Sequence, residues 1–277
     1  MIQIKLPDDM PPEIEEWRKR SEELTNLVLA AENTFERHRL IDVNKSHWRS
    51  PVLVNWLSDL SYEKCWYTET KFGGDYQEVE HFRPKKSTKN VKGTPVINHP
   101  GYYWLAFDLA NYRLCKSRPN RKKSTFFPVV DERFRSTSRD EDWRDETPIF
   151  LDPLDEEDCL LLSFNDDGRP TVEGYVEDQD KLRVEFTIEK YFLDERVLNM
   201  RRAETWSTVR SLYYKYLTSM QEVKSAKGDK VALRESAKKD LQILKSMLGR
   251  DQEFSSVAKT SLIKTGDDRA VIIASSV

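Results

Sequence analysis

The chain has 277 residues, 38% hydrophobic and 34% charged, with a formal net charge of −3 at pH 7. That length suits one large domain or two small ones with a real core, and the charge balance gives no global argument for nucleic acid, which must come from local clusters. No apolar run approaches bilayer-crossing length, the stretch Met1 to Asp9 lacks the apolar core of a signal peptide, and three widely spaced cysteines give no disulfide framework, so a cytoplasmic protein without membrane attachment is expected.

After Pro11-Pro12 the pattern turns helical. Trp17, Leu24, Leu27, Val28 and Leu29 sit among Glu, Arg and Lys, which predicts an amphipathic packing helix. Pro51 opens a second helix that ends near Ser61. From 62 to 130 the texture changes to short β-prone pieces, turn residues and clustered polar side chains. Gly73-Gly74-Asp75 is a turn signal between Cys65-Trp66-Tyr67 and Val79-Glu80-His81. Tyr102 to Phe107 reads as a short aromatic helix, Tyr112-Arg113-Leu114 as a strand, and Pro119-Asn120 as the opening of a helix. Arg133 to Asp145 reads as a mobile surface linker. Leu160 to Phe164 and Pro170 to Tyr175 predict a hairpin around Asp166-Asp167-Gly168. Further helices are predicted over about 187–198, 203–223 and 230–248, and Ala270-Val271-Ile272-Ile273 reads as a late strand.

The chemistry concentrates in Glu78-Val79-Glu80-His81-Phe82-Arg83-Pro84-Lys85. A carboxylate beside an imidazole puts a hard oxygen ligand next to a group that takes a proton near neutral pH. The basic residues that follow would draw in a phosphate. Downstream stand Asn111-Tyr112-Arg113-Leu114 and Asn120-Arg121-Lys122-Lys123, completing the order histidine, asparagine, asparagine. A lone acid–histidine dipeptide is usually a surface pair, and a basic run is usually a solvated face. Here the pair ends a predicted strand and the basic run lies beside it.

These segments, with Lys64-Cys65-Trp66-Tyr67, Tyr103 to Asp108 and Phe127-Pro128, resemble the HNH endonuclease family and its ββα-metal finger. The likeness covers roughly 62–153 and is greatest to a branch found in bacterial defence operons, such as Septu-type systems and some retrons. In that branch the HNH protein accompanies an ATPase. The resemblance implies that His81 is the general base and that Glu80 and Asn120 hold magnesium or manganese. It implies that Asn111 orients the hairpin and fixes His81. Many HNH proteins carry two Cys-x-x-Cys knuckles for a structural zinc. Here Thr68 and Arg118 stand where the second cysteines would be, after Cys65 and Cys115, so no structural zinc is expected.

The expected fold is α+β. A small ββα-metal core over 62–153 lies between an N-terminal helical segment, 1–61, and a mainly helical region, 154–277. The expected activity is metal-dependent cleavage of DNA as the effector of a defence complex with a partner ATPase. Arg83, Lys85, Arg113, Arg118, Arg121, Lys122 and Lys123 are expected to track the phosphate backbone, with Lys116 in the same stripe. An RNase using the same residues, and a non-catalytic subunit that binds nucleic acid or a partner, are the alternatives.

Overall fold

The computed structural model describes residues 1–227 and 230–277. α1 (Pro12–Leu29) has proline in its first turn and buries Ile14, Trp17, Ser21, Leu24 and Val28. These recur every three or four residues and form one face. α2 (Thr34–Val43) was not legible in the sequence; it buries only Ile41, and Asn33 caps it by accepting the Glu36 amide at 2.9 Å. α3 (Pro51–Asp59) follows.

β1 (Gln77–His81) pairs antiparallel with β2 (Tyr112–Lys116), with Glu80 opposite Arg113 and His81 opposite Tyr112. Between them run two short 3-10 turns, Tyr103–Leu105 and Leu109–Asn111. α4 (Ser117–Lys123) leaves β2 without a loop. After α5 (Glu156–Leu161), β3 (Leu162–Phe164) and β4 (Pro170–Val172) form the second hairpin. At its turn Gly168 has φ +78°, and a Cβ there would collide with the Asn199 carbonyl. Only glycine lets this hairpin seat on the helix that Asn199 belongs to.

The remainder is helical: α6 (Asp178–Lys190), α7 (Arg196–Ser225), α8 (Val231–Met247), α9 (Ser255–Ile263) and α10 (Asp268–Ser275). The helix predicted over 187–198 is therefore two helices. The chain breaks at Phe192, whose φ is 56°, and Glu195 starts α7 afresh by accepting the amides of Val197 and Leu198. The predicted late strand is α10 instead. Asp267 caps it by accepting the Arg269 amide, and Ala270, Ile273 and Ala274 bury one helical face. The class is α+β. No helix among the described residues is long and apolar enough to cross a membrane.

One apolar core takes side chains from 1–61, 62–153 and 154–277 alike, including Trp17, Leu57, Trp66, Phe107, Phe150 and Trp206. A smaller core lies among α7 to α10. Lys64 ties the two regions: its buried ammonium donates to the carbonyls of Arg250 and Gln252 at 2.5 and 2.8 Å. The 133–145 segment is not a loose linker. It carries two 3-10 turns, and Arg83 reaches the Trp143 carbonyl at 3.0 Å and Glu146 at 2.7 Å.

His47, just before α3, stacks on Trp17 at 4.5 Å, and its Nε2 is 2.7 Å from Ser21 Oγ. Burial, with the Arg20 charge adding to it, holds its pKa down at about 4. The unfolded chain therefore takes up a proton below the ordinary histidine range that the folded chain refuses, so stability is lost as pH falls toward that value. The thermal midpoint is expected to drop on acidification from about pH 7 to about pH 5, and less steeply in His47→Phe, which keeps the stack. Equal slopes in the two proteins would show that His47 plays no part.

Candidate functional site

Alternation along β1 puts Glu78 and Glu80 on one side and Val79 and His81 on the other. α4 packs on the glutamate side. Ser117, Asn120 and Lys123, three residues apart, share the helix face that meets it. Ser117 Oγ donates to Glu78 Oε1 at 2.6 Å, and Asn120 Nδ2 donates to Glu78 Oε2 at 2.7 Å. Lys123 forms an ion pair with Glu80, both fully buried. The same ammonium donates to the carbonyls of His81 and Phe82 at 2.6 and 2.8 Å. Burial pushes Glu80 up and Lys123 down, and each charge restrains the shift of the other. Glu80 Oε1 lies directly against that ammonium.

On the other side His81 packs edge-on against Trp48 and Tyr112, with centroids 4.9 and 5.1 Å apart. Its Nε2 is 3.0 Å from the Ala106 carbonyl. A carbonyl only accepts, so Nε2 carries the proton and Nδ1 holds the lone pair. Nδ1 is 3.3 Å from Lys85 Nζ. Burial first, and then the Lys85 charge, hold the imidazole pKa well below its usual value. This corrects the reading of His81 as a group titrating near neutrality: the ring stays neutral there. Burial also brings Lys85 down to about 8.

Asn111 stands behind the strand end. Its Oδ1 accepts the Arg83 amide at 2.7 Å, and its Nδ2 donates to the carbonyls of Arg83 and Leu105 at 3.0 and 3.1 Å. Its own carbonyl accepts the Phe82 amide at 2.8 Å. Three of these bonds fix the chain that leaves His81, and the fourth ties Asn111 to the turn at Leu105.

Glu78, Glu80, His81, Lys85 and Asn120 line one cleft of about 680 Å³, with Trp48 in its wall. Glu78 escaped the sequence reading, although its place two residues before Glu80 puts it on the same strand face. The Lys85–His81 contact and the Ala106 carbonyl also escaped it; neither leaves a sequence signal. Among the described residues no three His, Cys, Asp or Glu side chains form a ready-made metal cage. The donors that converge are two carboxylates and an amide, a hard oxygen set. Magnesium keeps several of its waters and needs few protein ligands. The carboxylates of Glu78 and Glu80 and the Asn120 amide in the cleft wall are donors of that kind, although Glu80 Oε1 already faces the Lys123 ammonium.

The basic stripe divides. Arg83 is buried against Glu146, Arg113 makes a two-pronged pair with Asp152 at 2.6 and 2.5 Å, and Lys123 is spent on Glu80. These three charges face inward, which corrects the expectation that they track a phosphate backbone: each is neutralised inside the fold. Arg118, Arg121 and Lys122 are exposed, and Lys85 is half-buried at the cleft. Arg118 lies over the Phe192 ring at 3.9 Å. Cys65 and Cys115 are both free and buried. Two thiols do not supply the four ligands of a closed zinc site.

No protein-family model matches the chain. It is 32% identical to the Septu protein PtuB of Bacillus mycoides strain KBAB4 over 197 residues, 70% of this chain and 62% of that protein. The chain therefore matches less than two thirds of that relative's length.

Removing the Glu80 charge strands a buried ammonium. Glu80→Gln is expected to cost about 3 kcal/mol in urea unfolding, and Glu78→Gln, half-buried and bonded only to neutral groups, under about 1 kcal/mol. The reverse order would show that Lys123 is not anchored by Glu80.

Proposed function

We propose that the chain is a metal-dependent HNH endonuclease that cleaves DNA, acting as the effector of a bacterial anti-phage defence complex. The observation that carries this is the cleft itself. A neutral imidazole, oriented through Nε2 by the Ala106 carbonyl, lines the same cleft as two glutamates and an asparagine. The strand–strand–helix order of these residues supports the HNH reading. The likeness to a Septu protein supports the defence setting and an operon partner, for which an ATPase is the candidate.

His81 is the general base. Its Nδ1 takes the proton from the attacking water, and Ala106 holds the ring in the tautomer that leaves this nitrogen unprotonated. Asn111 positions it by pinning the backbone on its C-terminal side. Glu80 and Asn120, with Glu78 beside them, would hold magnesium or manganese; bound there, the ion supplies positive charge to the phosphate and to the leaving alkoxide. The amide nitrogen of Asn120 is engaged with Glu78, which leaves its oxygen as the donor atom. Arg118, Arg121 and Lys122 supply exposed charge beside the cleft for the phosphate backbone.

Single-turnover cleavage of a labelled duplex tests this reading, with a structured RNA as the parallel substrate. His81→Ala is expected to lose about 10²–10⁴-fold in rate with binding retained. Raised manganese is expected to rescue Asn120→Ala in part and His81→Ala not at all. Wild-type cleavage by His81→Ala would remove the base, and cleavage of RNA alone would move the substrate.

The pH profile follows from the lowered imidazole pKa. The base is already free at neutrality, so the rate is expected to stay flat through about pH 6 to 8. It falls only as acid reaches the depressed value. A rise centred near the ordinary histidine pKa would contradict the buried, neutral ring.

A further inference from the structure

The lone pair that a base must offer to water is covered in this structure. Nε2 of His81 is engaged by the Ala106 carbonyl, and Nδ1 faces the ammonium of Lys85 at 3.3 Å. An ammonium only donates, so the contact uses the Nδ1 lone pair. Neighbouring lysines have carboxylates: Lys86 pairs with Asp42 at 2.5 Å, and Lys123 pairs with Glu80. Lys85 forms no ion pair among the described residues, although it is half-buried in the cleft wall with its ammonium 5.0 Å from the Trp48 ring centroid. Its backbone is held, because the preceding Pro84 carbonyl accepts the Tyr102 amide at 2.8 Å. A lysine ammonium is a compact point charge on a flexible four-carbon stem.

We infer that Lys85 is a latch on the base. In the free protein it caps His81 Nδ1, and a phosphodiester entering the cleft draws the ammonium away and uncovers the nitrogen. The phosphate is the better partner, because a charge-assisted bond to an anion outweighs one to a neutral ring. The base is then exposed only when the group to be attacked is in place. Lys85 acts through His81 and is a positioning residue. The latch rests on the nuclease reading for its ligand, but the cap itself does not.

Nitrogen-15 NMR of the histidine rings in the full chain, at neutral pH with EDTA and a short DNA duplex, reads the cap directly. The His81 signals are those missing from His81→Ala. A hydrogen bond to a ring lone pair moves its resonance upfield from that of an unbonded nitrogen. Lys85→Met, which keeps the stem and removes the donor, is expected to move Nδ1 downfield without DNA. Duplex is expected to move the wild-type signal the same way and to leave Lys85→Met unmoved. An Nδ1 resonance identical in wild type and Lys85→Met overturns the cap. A duplex that binds by fluorescence anisotropy yet leaves the wild-type Nδ1 in place overturns the release, and so does a duplex that does not bind. Binding and uncapping without cleavage once magnesium is restored leave the latch standing and refute the nuclease reading.

Discussion

The site depends on one buried ammonium. Lys123, at the end of α4, donates to two successive carbonyls at the end of β1 and pairs with the Glu80 carboxylate from the same strand. A lysine in a dry interior is tolerable only with such partners, since an unpaired buried charge costs several kcal/mol. The three contacts therefore lock helix to strand in one register. That register sets Asn120, one turn earlier, against Glu78, and holds the backbone of His81 from one side while Asn111 holds Phe82 and Arg83 from the other. The cleft is a by-product of this clamp: its acidic wall is β1, and its helical wall is α4.

Much of this was legible in the sequence. The strand ending at Val79-Glu80-His81 and the strand Tyr112-Arg113-Leu114 were legible, although the turn at Gly73-Gly74 precedes β1 and does not join it to β2, and Glu80, His81 and Asn120 stand out in the sequence. They do line one cleft. What the sequence hid was the destination of charge. Arg121, Lys122 and Lys123 are consecutive and look alike, but a helix turns about 100° per residue, so only one of them faces β1. Lys123 lies three residues after Asn120 and shares its face. Arg83 and Arg113 were unreadable for another reason. Their partners, Glu146 and Asp152, are 63 and 39 residues away in sequence.

The errors elsewhere have the same local origin. Val271-Ile272-Ile273 is β-branched and short, which favours a strand by propensity. The capping Asp267 and the small Ala270 and Ala274 won, because they let the helix pack closely in the smaller core. α2 was missed because only one of its side chains is buried, which leaves almost no periodicity to read. The 133–145 segment looked like a solvated linker by charge. Arg83, stacked over Trp143 at 4.3 Å and paired with Glu146, makes it part of the wall behind the hairpin.

The proposed activity requires the β1–α4 cleft to be an oxygen-donor metal site beside a neutral imidazole. Anomalous diffraction from crystals soaked in manganese addresses this most directly, since the ion is located without reference to activity. One peak is expected in the cleft, in contact with a β1 glutamate carboxylate and the Asn120 amide oxygen, and it is expected to disappear in crystals of Asn120→Ala. A cleft without manganese at saturating concentration, or a peak that ignores Asn120, would contradict that activity.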